Sequence, residues 1–217
     1  MTDAELPKAI ALIKKAVSGW KTPAVTEIAK EKDPYRVLVS CILSLRTQDR
    51  TTGTASARLF KLAGSPLAMS GLPVEVIERA IYPVGFYRTK ARTIREISGR
   101  LLADFGGRVP DTIEGLLLLR GVGRKTANLV VTMGYGLPGI CVDTHVHRIT
   151  NRWGYVRTKT PGETEKALRE RLPQRYWLEI NDLLVTFGQN QCRPISPICS
   201  TCPVKACCER VGVTVSR

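Results

Sequence analysis

The chain has 217 residues, 43% of them hydrophobic and 24% charged, enough for one large or two small cored domains of ordinary globular composition. Its 33 Lys+Arg against 19 Asp+Glu leave a formal charge of +14, a balance that points to a polyanion held through phosphate contacts. Apolar stretches such as Leu116–Leu119 are far too short to span a bilayer. Residues 1–17 read as an acidic start and an amphipathic run, not a secretory signal.

Helical spacing dominates the chain from its first residues. Ile10, Ile13, Val17 and Trp20 fall on one face of a first helix. Asp33-Pro34 has the form of a cap followed by proline at the first helical position, opening a helix through Leu38, Ile42 and Leu45. Ala91, Ile94, Ile97, Leu101 and Phe105 make a longer stripe that Gly106-Gly107 closes. Thr160-Pro161-Gly162-Glu163 has capping-box spacing, and Trp177, Ile180, Leu184 and Phe187 mark a further helix. No alternating strand pattern or repeat emerges, so the expected class is all-α. Gly134 to Gly139 is the best candidate hinge.

Three segments carry chemistry. Between a helix ending at Leu116–Leu119 and another over Thr126–Met133, the turn Arg120-Gly121-Val122-Gly123 offers glycines that permit positive φ and expose N–H groups. Those donors make a phosphate seat beside Arg124 and Lys125. In the first turn of a helix, beside Arg124, the Lys125 ammonium is disfavoured, as a nucleophilic amine requires; a lysine that simply faces a phosphate fits the same position. Further on, Asp143 in Cys141-Val142-Asp143-Thr144-His145 has the type and place of an N-cap, which does not prevent it from facing a reacting centre. His145 and His147, two apart on a helix, point to different sides and do not form a shared metal site.

The tail carries Cys192-x6-Cys199-x2-Cys202-x5-Cys208, with Pro194, Pro197 and Pro203 stiffening the turns between them. Four thiols at that spacing suit either a structural zinc or an iron–sulfur cluster. Cys207 and Cys208 are adjacent, so their ligand directions diverge and one of them stands outside the set. Cys41 and Cys141 lie in apolar stretches and read as packing residues. Seven cysteines without an export signal fit a reducing cytoplasm.

At this point the chain resembles the endonuclease III family, within the helix-hairpin-helix DNA glycosylases. Leu119 to Asn128 is similar to that family's hairpin, Pro138 to Arg148 to its aspartate loop, and the four-cysteine tail to its [4Fe–4S] ligand spacing. The resemblance runs from about Asp33 to Cys208. It implies a two-domain all-α fold: a six-helix domain over 25–136, and a discontinuous domain of 1–24 and 137–217 that carries the cluster on Cys192, Cys199, Cys202 and Cys208. It also implies a monomeric cytoplasmic enzyme (nucleoid-associated if prokaryotic) that binds duplex DNA with damaged bases or abasic sites, excises oxidised pyrimidines and cleaves the strand by β-elimination.

By the same resemblance Lys125 is the Schiff-base nucleophile and Asp143 its partner. The hairpin residues Gly121, Val122, Gly123, Arg124 and Thr126 hold DNA, together with His145. Two loops, one with Arg46 and Gln48 and one with Phe86, fill the gap left by the flipped nucleotide. Arg46 stands where the family often has Gln, and Phe86 where it often has Leu, so substrate range and opposite-base preference are where this chain departs. Phe86 as an ordinary core aromatic is an equal reading. Two further functions compete: a monofunctional mismatch or uracil glycosylase of the same superfamily, which generally lacks a lysine at position 125, and a non-catalytic iron–sulfur DNA-binding protein.

Overall fold

A computed structural model describes residues 1–20 and 23–217, and among these residues every regular element is helical. The chain divides into two compact units, Ala24–Gly139 and Met1–Pro23 with Ile140–Arg217. Positions 21 and 22, inside the expected segment 1–24, lie outside the described residues.

The continuous unit is built around α3 (Pro34–Ser44), which follows α2 (Ala24–Ala29). Every residue from Val37 to Leu43 is buried, so α3 is enclosed on all sides rather than amphipathic. Its start is the one the sequence specifies: Asp33 Oδ1 accepts the N–H groups of Tyr35 (2.9 Å) and Arg36 (3.1 Å), with Pro34 in the first turn. Around it lie α4 (Asp49–Leu62), α5 (Pro66–Ser70), α6 (Val74–Ile81), α7 (Tyr87–Phe105), α8 (Ile113–Leu117) and α9 (Arg124–Leu129). Ala91, Ile94, Ile97 and Leu101 of α7 are fully buried, and Gly106 and Gly107 end it at φ +59° and +78°.

The helix expected over Thr126–Met133 is α-helical only to Leu129 and then widens into a π turn, Val130–Gly134. Two features account for this. The Thr132 hydroxyl donates to the carbonyl of Asn128 (2.7 Å) and lies near that of Leu129, competing with the helical ladder. Gly134 also sits against α3, where a Cβ would stand 2.9 Å from Pro34 Cα.

The discontinuous unit joins α1 (Leu6–Val17) to α10 (Thr144–Arg152), α11 (Pro161–Arg171) and α12 (Ile180–Asn190). Its core collects Ile10 and Ile13, Val146 and Ile149, Leu168, and Ile180, Leu184 and Phe187, closed by Trp153 and Tyr155. Trp20 packs on this core from beyond the end of α1. Trp177 is likewise outside the helix expected to contain it. It follows a 3-10 turn, Gln174–Tyr176, and its indole N–H donates to Leu172 O at 2.8 Å. Thr160 caps α11 through Glu163 N–H (3.2 Å), whereas the Glu163 carboxylate takes the N–H of Lys159 rather than that of Thr160.

Candidate functional site

Each unit carries some of the residues the sequence singles out. In the continuous unit, Thr112 caps α8 by accepting the Gly115 N–H, and the chain turns sharply after Leu119. Gly121 is in the left-handed region (φ +82°), where a side chain would be strained, and a Cβ there would also approach Thr93 Cγ2 to 3.0 Å. Val122 is buried and donates to Leu119 O at 3.0 Å, anchoring the turn. Gly123, expected to share Gly121's freedom, is instead extended (φ −94°, ψ 171°). It caps α9 with open space where a side chain would stand. That leaves Arg124 and Lys125 exposed in the first turn, with Thr126 buried beneath them. Lys125 also lies within electrostatic reach of Cys41, a thiol that burial pushes up to about 12. Cys41 is therefore an apolar neighbour of the hairpin and not a thiolate. Arg120 faces Glu96 at 3.6 Å on the surface.

The Arg46 and Phe86 segments are exposed and close to each other within this unit. Both residues have positive φ, +51° and +58°, and the Arg46 guanidinium lies 5.9 Å from the centre of the Phe86 ring. Phe86 is 63% exposed, which removes the core-aromatic reading. Gln48 is the exposed N-cap residue of α4.

In the discontinuous unit Asp143 is the N-cap of α10. Its Oδ1 accepts the N–H groups of His145 (2.8 Å) and Val146 (3.0 Å), and the residue is buried. Gly188 of α12 makes room for the His145 ring, since a Cβ there would stand 2.4 Å from Nδ1. The Arg148 guanidinium sits 3.1 Å from the same nitrogen. Because arginine can only donate, Nδ1 is the acceptor and Nε2 carries the hydrogen. His147 points elsewhere, to Thr164 Oγ1 at 2.7 Å.

α10 also supports the cysteine loop, a connection the sequence does not announce. Arg148, one turn below Asp143, donates to Cys192 O (2.8 Å). Arg152, a further turn on and buried, donates to Arg193 O and Pro194 O (both 2.7 Å) and to Cys192 Sγ (3.4 Å). Spacing of i, i+4 on one face of a helix beginning at Asp143 was the available signal; the carbonyls forty residues away were not.

Cys192, Cys199, Cys202 and Cys208 line one cavity with Trp153, Phe187 and Val204. Cys207 is outside it: its thiol reaches Val204 O (3.4 Å), and its charged surroundings are Glu5, Lys8 and the N-terminal ammonium. The donor set suits a cationic centre. Burial pushes Cys202 up to about 11 and its three partner cysteines push it the same way, so a thiolate at that position calls for positive charge beside it. Among the described residues no three His, Cys, Asp or Glu side chains converge on one point as a single metal ion requires.

A helical fold with a glycine hairpin, a capped aspartate and a four-cysteine loop defines a helix-hairpin-helix repair protein. Residues 39–174 match the HhH-GPD superfamily of base excision DNA repair proteins. Endonuclease III of Thermotoga maritima is 49% identical over 83% of this chain and 84% of its own length. Endonuclease III homolog 2, chloroplastic, of Arabidopsis thaliana is 42% identical over 82% of the chain, which spans about half (48%) of that longer protein. A solved structure of a trapped endonuclease III–DNA covalent intermediate superposes with a TM-score of 0.83 at 30% identity, over 97% of both chains. The chain belongs to the HhH-GPD superfamily, and within it to the endonuclease III family.

Proposed function

We propose that Lys125 and Asp143 are the reacting pair of a bifunctional DNA glycosylase and abasic-site lyase of base excision repair, acting on oxidised pyrimidines in duplex DNA. The activity class is that of the family. The residue assignments rest on one observation above all: the hairpin leaves Lys125 exposed directly after the Gly121–Gly123 turn, in a chain so similar to one trapped covalently on DNA.

The damaged nucleotide must leave the stack, because C1′ is shielded inside the duplex. The neutral Lys125 amine attacks C1′, the glycosidic bond breaks, and the base departs with the bonding pair and a proton. Ring opening gives an imine between Nζ and C1′, an electron sink that makes the C2′ proton acidic. Loss of that proton and expulsion of the 3′ phosphate complete β-elimination, and hydrolysis of the imine returns the amine. Asp143, its Oδ1 engaged by two amides, offers carboxylate charge to the developing sugar cation or accepts the amine's proton. Gly121 and Gly123 N–H groups and Arg124 hold the strand, buried Thr126 supports them from beneath, and His145 Nε2–H is a further donor. Arg46, Gln48 and Phe86 occupy the gap.

Cys192, Cys199, Cys202 and Cys208 would hold a [4Fe–4S] cluster, whose role here is to fix the loop around Lys205. Duplex DNA is the partner, a monomer the working form, and the cytoplasm the compartment. The test is borohydride reduction on an abasic or thymine-glycol duplex. Wild type is captured as a protein–DNA adduct, and Lys125→Ala gives none while retaining binding within about threefold. Base release by Lys125→Ala at the wild-type rate would favour the monofunctional reading.

A further inference from the structure

We infer that Lys90, a buried lysine in the first turn of α7, is a positioning residue that ties together the two loop tips carrying Arg46 and Phe86. Its side-chain ammonium reaches one loop and its backbone the other. Nζ donates to Leu43 O (2.9 Å), Leu45 O (2.5 Å) and Thr47 Oγ1 (3.1 Å), while its own N–H bonds Phe86 O at 3.0 Å. The residue is 6% exposed, and no carboxylate pairs with it among the described residues. Only carbonyls and a hydroxyl hold the charge.

Those acceptors have a structural origin. Leu43 and Leu45 lie at the C-terminus of α3, where the last carbonyls lack helical partners and the dipole favours a cation. Burial alone pulls the Lys90 ammonium down to about 8, and the three acceptors oppose that pull by favouring the charged donor. Thr47 extends the link, since its hydroxyl oxygen also accepts the Gly85 N–H at 3.2 Å. Gly85 has to be glycine here: a Cβ would stand 2.7 Å from Arg46 O.

The consequence is a locked pair of tips. Arg46 and Phe86 both hold left-handed backbone conformations that L side chains rarely adopt, and such strain persists only where surroundings enforce it. Lys90, Thr47 and Gly85 are that enforcement. The inference rests on the proposed reading in one respect, that these tips enter the duplex. Lys90 then acts on how readily the gap is filled and not on the imine chemistry.

Two substrates with the same lyase chemistry separate these roles: an abasic site in a single strand, which has no partner base and no gap, and the same site in a duplex. Lys90→Met keeps length and apolar bulk but leaves the carbonyls unpaired. It should lower kcat/KM on the duplex about tenfold, mainly through KM, while trapping on the single strand stays within twofold. Thr47→Val, a milder change outside the core, should do the same about threefold and decides the matter if Lys90→Met does not fold. Equal losses on both substrates, or an unchanged duplex reaction in Thr47→Val, would overturn the inference. Failure of the wild-type protein to be trapped on either substrate would instead count against Lys125 as nucleophile.

Discussion

Asp143 performs two tasks that a single substitution can separate. As N-cap it satisfies two of the first-turn amides of α10; as proposed catalytic carboxylate it acts through its negative charge. Asparagine caps as well as aspartate because its amide oxygen accepts the same two N–H groups, whereas alanine cannot. Losing the cap costs about 1 kcal/mol, with a range of roughly 0.5–2. For a chain of this size 1 kcal/mol lowers Tm by about 2–4 °C, and the range spans about 1–8 °C. Asp143→Asn should therefore stay within about 2 °C of wild type, and Asp143→Ala should fall by the larger amount. Catalysis should not follow that order. Both variants lose the carboxylate, so both should drop at least about a hundredfold in single-turnover base excision. The assay pairs thermal melts with single-turnover kinetics on a thymine-glycol duplex. Asp143→Asn with near-normal turnover would reduce the residue to a cap, and Asp143→Asn as unstable as Asp143→Ala would refute the separation of cap from charge.

Arg152 should prove indispensable to the cysteine loop. Replacing it with Met strands two carbonyls that now receive charged donors, a loss of about 3 kcal/mol that lowers Tm by about 6–12 °C, read by thermal melt alongside iron content. Cys207→Ser should keep the iron stoichiometry of wild type and Cys208→Ser should lose it, since only Cys208 lines the cavity; elemental analysis decides, and equal iron in both would reassign the fourth ligand. Glu163 is held below the usual carboxyl value of 4.5, first by the Lys159 N–H. Because its folded value is depressed, its stabilisation is present above about pH 4.5 and is lost as pH falls through the folded value. The gap in urea midpoint between wild type and Glu163→Ala should therefore be open at pH 7 and narrow towards pH 3.5.

Much of the local structure was written in short-range signals. Asp33-Pro34, Thr160 and the stripe from Ala91 to Leu101 each depend on neighbours within four residues, and each forms where the pattern puts it. The features that escaped depend on distant partners. Lys90 drew no reading from the sequence, and only the end of α3, over forty residues earlier, makes it a buried donor. Arg148 and Arg152 are equally silent until Cys192 and Pro194 arrive against them. The π turn at Val130 joins a short-range cause, the Thr132 hydroxyl on Asn128 O, to a long-range one, Pro34 against Gly134, and helical periodicity expresses neither. The two glycines of the hairpin looked alike in sequence, but only Gly121 uses the left-handed region; Gly123 gives access instead of conformation.

The most direct test locates the covalent bond. Wild-type protein is reduced with borohydride on an abasic duplex, digested, and its peptides sequenced by mass spectrometry. A deoxyribose remnant on the side chain of Lys125, and on no other amine, is the expected result. A remnant on Lys90, on Lys205 or on the N-terminal amine, with Lys125 unmodified, would contradict the account.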